Sequence, residues 1–275
     1  MSMTIPQLLQ DIAQRYPDNS AQMYKDETGR FVPRPWQELR ILVDRCAAGL
    51  ESLGIQRGDH LGLISENRAE WFVADLGAMT IGAVDVPRGN DATSQELEFI
   101  LGVTETPLIF VENEAQLRKI LDISPRLGGL KTIVQLDNGY NNGDTSREEP
   151  VIINFEDLLT RGARALEEDP QRVDRAREVG DGDDTATIIF TSGTTGTSKG
   201  VMLSHRNFVS DCYQAQGNMN IYHTDVFYAM VGLHHSYSML AVFIEAISVG
   251  AEVVFAKRIA IQQILKDMKQ GKITM

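Results

Sequence analysis

The sequence predicts an α/β protein in which strands and helices alternate and mostly parallel sheets are covered by helices. Three observations predict it. Short apolar runs that suit buried strands alternate with longer stretches of helical periodicity, and that alternation builds parallel sheets with both faces covered. Several helical stretches are announced by capping residues. Apolar residues make up 43% of 275 residues, enough to fill a sizeable core.

The elements follow in chain order. Thr4-x-x-Gln7 is a capping box, and Leu8, Leu9, Ile12, Ala13 and Tyr16 share one helix face behind it. Trp36, Leu39, Val43, Cys46, Leu50 and Leu53 recur at helical spacing until Gly54 ends the helix. Residues 60–64 read as a buried strand. Asn67-x-x-Glu70 reads as the cap of a helix bearing Phe72, Leu76 and Met79. Residues 83–87 form the next strand, and Thr93-x-x-Glu96 opens a helix with Leu97, Ile100 and Leu101. Strands are expected at 107–111 and, after another helix, at 132–136. Residues 137–150 are polar and rich in Gly and Asn, hence a surface loop. A helix covers 154–166, and the charged run 166–184 reads as an exposed connection. Alternation resumes with a strand at 185–190. Ser204 caps a helix whose face holds Phe208, Cys212, Ala215 and Met219. A strand at 225–231, a helix at 237–249, a strand at 252–256 and a helix at 261–269 follow. Residues 272–275 read as the opening of one more strand, which suggests a truncated chain. The expected organisation is a first α/β subdomain over 1–180 and the start of a second over 181–275.

Charge and cysteines narrow the function. Lys plus Arg number 26 against 38 Asp plus Glu, a formal net charge of −12, which argues against nucleic acid as a partner. Cys46 and Cys212 lie far apart, form no CxxC pair and fit no zinc spacing. They read as free thiols in a reducing compartment, so a cytoplasmic location is expected. The N-terminus lacks the basic start and apolar core of a signal peptide. The apolar stretch 239–256 is interrupted by Glu245 and Glu252, so no membrane span is expected.

The chemistry lies in residues 188–205, IIFTSGTTGTSKGVMLSH. An apolar strand delivers a Thr/Ser/Gly loop and a lysine, then a second apolar stretch and a capped helix. Gly193, Gly196 and Gly200 permit close approach of backbone N–H groups to an anion. Thr191, Ser192, Thr194, Thr195 and Ser198 add hydroxyls, and Lys199 adds a mobile positive charge. The pattern is a polyphosphate cradle, but not a Walker loop. A glycine at 193 would require glycine at 198 and Ser or Thr after Lys199, where Ser198 and Gly200 stand. The dinucleotide fingerprint fails as well, because Gly180-x-Gly182 is followed by Thr185. Downstream lies Leu233-His-His-Ser-Tyr-Ser-Met239. Alone, a His-His pair marks packing or a helix start more often than a site.

Residues 190–200 resemble the signature of the AMP-forming adenylate family, [aromatic]-T-S-G-T-T-G-x-P-K-G, at every position except Ser198, where proline is usual. The His-His segment resembles the acyl-pocket motif of the long-chain members, with Gly232 where proline is usual. Trp36-x-x-Leu39, Gly58-Asp59-His60 and Val86-Pro-Arg-Gly-Asn90 are similar to the family's N-terminal layout, so the resemblance covers nearly the whole chain.

The resemblance implies part of the large N-terminal domain of acyl-CoA synthetases. It implies a ligase that joins a fatty acid to CoA, or to an acyl carrier protein, through an acyl-adenylate made from ATP. Thr191, Ser192, Gly193, Thr194, Thr195, Gly196 and Lys199 would hold ATP, His235 would stand where the carboxylate meets the α-phosphate, and His234 and Tyr237 would line the acid pocket. Mg²⁺ is implied too, with its ligands, the ribose site and a C-terminal catalytic lysine expected beyond residue 275. On that view the chain alone is inactive. A fatty-acid substrate also implies transient contact with a membrane surface. The competing reading is a non-catalytic relic that keeps the nucleotide loop.

Overall fold

The computed structural model describes residues 3–26, 28–137, 139, 150–191, 198–255 and 261–275. The chain begins with α1 (Ile5–Arg15), β1 (Ser20–Lys25), β2 (Phe31–Pro35) and α2 (Trp36–Ser52). It continues through β3 (His60–Ile64), α3 (Ala69–Thr80), β4 (Val84–Arg88), α4 (Ser94–Val103), β5 (Leu108–Val111) and α5 (Glu114–Ile123). Then come β6 (Thr132–Gln135), β7 (Val151–Asn154), α6 (Phe155–Glu168), α7 (Arg172–Glu178), β8 (Thr185–Thr191) and β9 (Lys199–Ser204). The last part holds α8 (His205–Asn218), β10 (Val226–Ala229), α9 (Ser236–Ser238), α10 (Glu245–Val249), β11 (Glu252–Phe255) and α11 (Ile261–Gln270). A π-helical turn, Met239–Ile244, joins α9 to α10.

Two sheets result. One has seven strands in the order β7-β6-β5-β3-β4-β8-β9, parallel throughout except for the β8–β9 hairpin. The other has four, β10-β11-β1-β2. Alternation along β5 explains why the first sheet needs helices on both faces. Leu108 and Phe110 join Trp71, Phe72 and Leu158 in one core, while Ile109 and Val111 join Leu97, Leu101, Leu117 and Ile120 in another. The capping boxes at Thr4 and Ser204 and the cap at Thr93 form as expected. Gly54, at φ +85°, ends α2 in the left-handed conformation that glycine favours.

Several expectations need correction. Strands β1, β2 and β7 were absent from the pattern reading. The first is half polar (SAQMYK), and the second contains Pro33 and Pro35. β1 finds its parallel partner in β11, with Gln22 beside Val253, a pairing no local periodicity reports. Strands therefore cross the expected boundary at residue 180 in both directions: β8 and β9 complete the first sheet, and β1 and β2 join the second. The run 166–184 is not simply an exposed connection. It contains α7, whose Arg177 is buried and ion-paired with Asp44 and Asp174. Asn67 does not cap α3; Arg68 occupies the N-cap position. Ala215 and Met219 do not share the buried face of α8, and Met219 is exposed. Residues 273–275 form no strand, though the Thr274 and Met275 amides donate to Val226 O. The expected loop at 137–150 lies mostly outside the described residues.

Candidate functional site

Strand β8 is the axis of the site. It lies between β4 and β9, buried from Ala186 to Phe190, and emerges at Thr191. Thr191 and Lys199 are register partners in the β8–β9 hairpin, so the loop leaves and returns at adjacent points. Lys199 is exposed. The other expected phosphate-loop residues, Ser192, Gly193, Thr194, Thr195 and Gly196, lie outside the described residues. At Gly200 the need for glycine is room: a Cβ there would stand 2.8 Å from Ile188 Cγ2 and 3.1 Å from Phe190 Cζ.

The His-His segment follows β10. His234 is half-buried and His235 exposed, with ring centroids 4.2 Å apart. The His234 ring fills space that two glycines leave open. A Cβ on Gly232 would lie 2.3 Å from its Cε1, and one on Gly89 2.7 Å away. The glycine at 232, where the resembling motif has proline, thus has a steric counterpart. Burial pushes His234 down to about 4, and the positive charges of His235 and Arg88 act in the same direction against Asp91. His234 is therefore uncharged at neutral pH, with its buried Nδ1 unpartnered.

Two hollows meet at Tyr237, which is 72% exposed. One, of about 420 Å³, runs from Thr191 past Asn207 and Ser236 to Tyr237 and Leu240. The other, of about 630 Å³, shares Asp211, Tyr237 and Leu240 with it and continues between Met219, Phe227 and Ile264. The second is mainly apolar. The structure thus brings Thr191 and Tyr237 to one hollow, with the hairpin partner Lys199 beside Thr191.

Two supporting residues escaped the sequence reading. Arg88, at the end of β4, donates from Nη1 to Phe190 O at 3.2 Å and pairs with Glu96, tying β8 to its neighbour just before the loop. Asn67 carries no cap hydrogen bond and instead contacts the chain between β10 and His234. Its position before a helix gave it the appearance of a cap, so no local signal distinguished it. Among the described residues, no His/Cys/Asp/Glu cluster could hold a metal ion, and no helix is long and apolar enough to cross a membrane.

Thr191, at the end of β8, and Tyr237 thus share a hollow that adjoins a mainly apolar one beside the edge hairpin of a seven-stranded α/β sheet. A family model described as AMP-binding enzyme matches residues 9–275, and the chain belongs to that family. The chain is 28% identical over 239 residues to the chloroplastic long-chain-fatty-acid–[acyl-carrier-protein] ligase AEE15 of Arabidopsis thaliana, an overlap covering 85% of this chain and 32% of that protein. It is 31% identical over 208 residues to the long-chain-fatty-acid–CoA ligase ACSBG2 of Xenopus laevis, covering 74% and 26%. The crystal structure of the anthranilate CoA ligase AuaEII in complex with anthranoyl-AMP superposes with a TM-score of 0.84 at 20% identity, covering 98% of this chain and 48% of that one. The fold is accordingly that of acyl-CoA ligases. The chain spans about a third or less of the length of these two curated relatives, 32% and 26%.

Proposed function

We propose that the protein carrying this chain is an AMP-forming ligase that activates a long-chain fatty acid with ATP and passes the acyl group to CoA. One juxtaposition carries the reading. Thr191, from which the Gly/Thr loop departs, and Tyr237 line a hollow that adjoins a mainly apolar one of about 630 Å³, a lining suited to part of an acyl chain.

The chemistry follows from charge. A carboxylate oxygen attacks the α-phosphorus, an acyl–oxygen–phosphorus bond forms, and the bond to the bridging oxygen breaks as pyrophosphate leaves with the electron pair. A thiol then attacks the acyl carbon and AMP leaves. The first step brings two anions together, so cationic groups and N–H donors must stand where charge develops. His234 is uncharged and cannot serve as a cation. On this reading Lys199 supplies the charge, with Thr191, Ser192, Gly193, Thr194, Thr195 and Gly196 cradling the phosphates. His235 faces the reacting carboxylate, while His234 and Tyr237 wall the acid. Mg²⁺ entering with ATP would supply further neutralisation, and no step is assigned to it among the described residues.

A second acceptor, the phosphopantetheine thiol of an acyl carrier protein, is favoured by the name of the Arabidopsis relative. The test is the nucleotide product formed by the full protein with ATP, palmitate and either thiol. AMP plus pyrophosphate is expected. ADP plus phosphate would overturn the reading, and no ATP consumption would favour a nucleotide-binding relic. The 275-residue chain by itself is expected to show no turnover in the same assay, since it spans only 32% and 26% of these ligases.

A further inference from the structure

Asn67 stands in the turn between β3 and α3 and is 7% exposed. Its Nδ2 donates to Ala229 O and to Val231 O, both at 2.9 Å. Its Oδ1 accepts from Leu233 N at 2.8 Å. Two carbonyls and one N–H fix which way the amide points. The three partners span the end of β10 and the approach to His234. The other backbone hydrogen bonds found there are local turns, Met230 N to Tyr228 O at 2.9 Å and His235 N to Gly232 O at 3.1 Å. An amide from the turn after β3 therefore takes the place of a neighbouring strand for this segment. An alanine would leave buried backbone groups unpaired. An aspartate would set a carboxylate against two carbonyls, and glutamine is one methylene too long. The neighbouring glycines, Gly89 and Gly232, leave the space into which His234 is then directed.

We propose that Asn67 is a positioning residue of the site: it fixes the path of residues 229–233 and so places His234 and His235 against Gly89, where β4 ends beside β8. Its importance for catalysis rests on the ligase reading above, whereas the clamp itself does not, and two measurements separate them.

The first is NMR of the labelled chain, following histidine ring titrations and Leu233 amide exchange. Two histidines are pushed down to about 4 by burial, the half-buried His234 and the buried His205, and the second serves as an internal control. His205 sits at the start of α8, where its Nδ1 accepts from Ile5 N at 3.4 Å. In Asn67→Ala we expect the His234 midpoint to rise by more than about one unit toward its ordinary value. Leu233 amide exchange should quicken roughly tenfold, the scale of one lost hydrogen bond. His205 should stay in place. Unchanged His234 and Leu233 would overturn the clamp, and so would a shift of His205 alongside them, which would mean general loosening. If Asn67→Ala does not fold, the uncharged Asn67→Ser, one atom shorter, loses the reach to the carbonyls without adding a charge and should move His234 in the same direction. The second measurement is pyrophosphate exchange by the full protein. Asn67→Asp should lower kcat on the order of 10²-fold, the scale of a misplaced reacting group, with little change in the KM for ATP. Unchanged kcat would overturn the positioning role. A wild-type protein that forms no AMP would defeat the ligase reading, and the clamp would still be decided by the NMR result.

Discussion

Asp75 of α3 and Asp85 of β4 are 1% and 2% exposed and face one another without a cationic partner. No nitrogen or hydroxyl donor reaches either oxygen of Asp75, and the Thr187 hydroxyl of β8 is buried beside Asp85. A protonated carboxyl on either acid can donate to the other and supply the missing bond. Burial raises Asp75 to about 8, and burial together with the like charge of Asp75 raises Asp85 well above the usual carboxylate range. The sign follows. Between the unfolded value near 4 and the folded value, the folded chain holds more protons than the unfolded one, so stability falls as pH rises. That contribution is fully present below about pH 4 and is lost as pH climbs through about 8. Each retained proton gives a slope of about 1.4 kcal/mol per pH unit, or roughly 3 kcal/mol from pH 5 to 7. Asp75→Asn keeps the shape, donates an amide hydrogen to Asp85 and removes the like charge. Its stability should match wild type near pH 5 and exceed it by up to about 3 kcal/mol at pH 7, or about 6–12 °C in Tm for a chain of this size. Urea unfolding at half-unit pH steps is the assay. A difference between variant and wild type that stays flat from pH 5 to 8 would refute the shared-proton reasoning.

Two further outcomes are expected. Lys199→Ala in the full protein should slow pyrophosphate exchange on the order of 10²-fold, the scale of one lost charged donor. Its Tm should hold, since Lys199 is exposed; unchanged exchange would mean that Lys199 is not a phosphate ligand. Gly162→Ala should cost about 3 kcal/mol or more, because its Cβ would fall 1.7 Å from Arg45 O where α6 crosses α2. Thermal melting checks it, and a loss under about 1 kcal/mol would mean that the crossing can spread.

Legibility followed the range of the forces involved. Capping at Thr4, Thr93 and Ser204 is a local hydrogen bond, so it could be read from spacing alone. The same rule misled at Asn67, whose amide reaches across more than 160 residues to Val231 and Leu233 rather than to its own helix. The charged composition of 166–184 concealed α7, because Arg177 is buried with a partner, Asp44, that lies on a distant helix. Asp85 lay in plain view inside an apolar strand, but its partner Asp75 became a neighbour only when α3 packed on the sheet.

The sequence by itself determined the alternation of strands and helices, the residues of the Gly/Thr loop with its lysine, and the His-His-Ser-Tyr segment. Those depend on local periodicity, backbone freedom and side-chain type. The tertiary structure decided that Thr191 and Tyr237 line one hollow, that His234 is held uncharged against Gly89 and Gly232, and that β1 pairs with β11. Each of these depends on segments far apart in the chain excluding water from a shared surface, and one-dimensional spacing carries no record of which segments will meet.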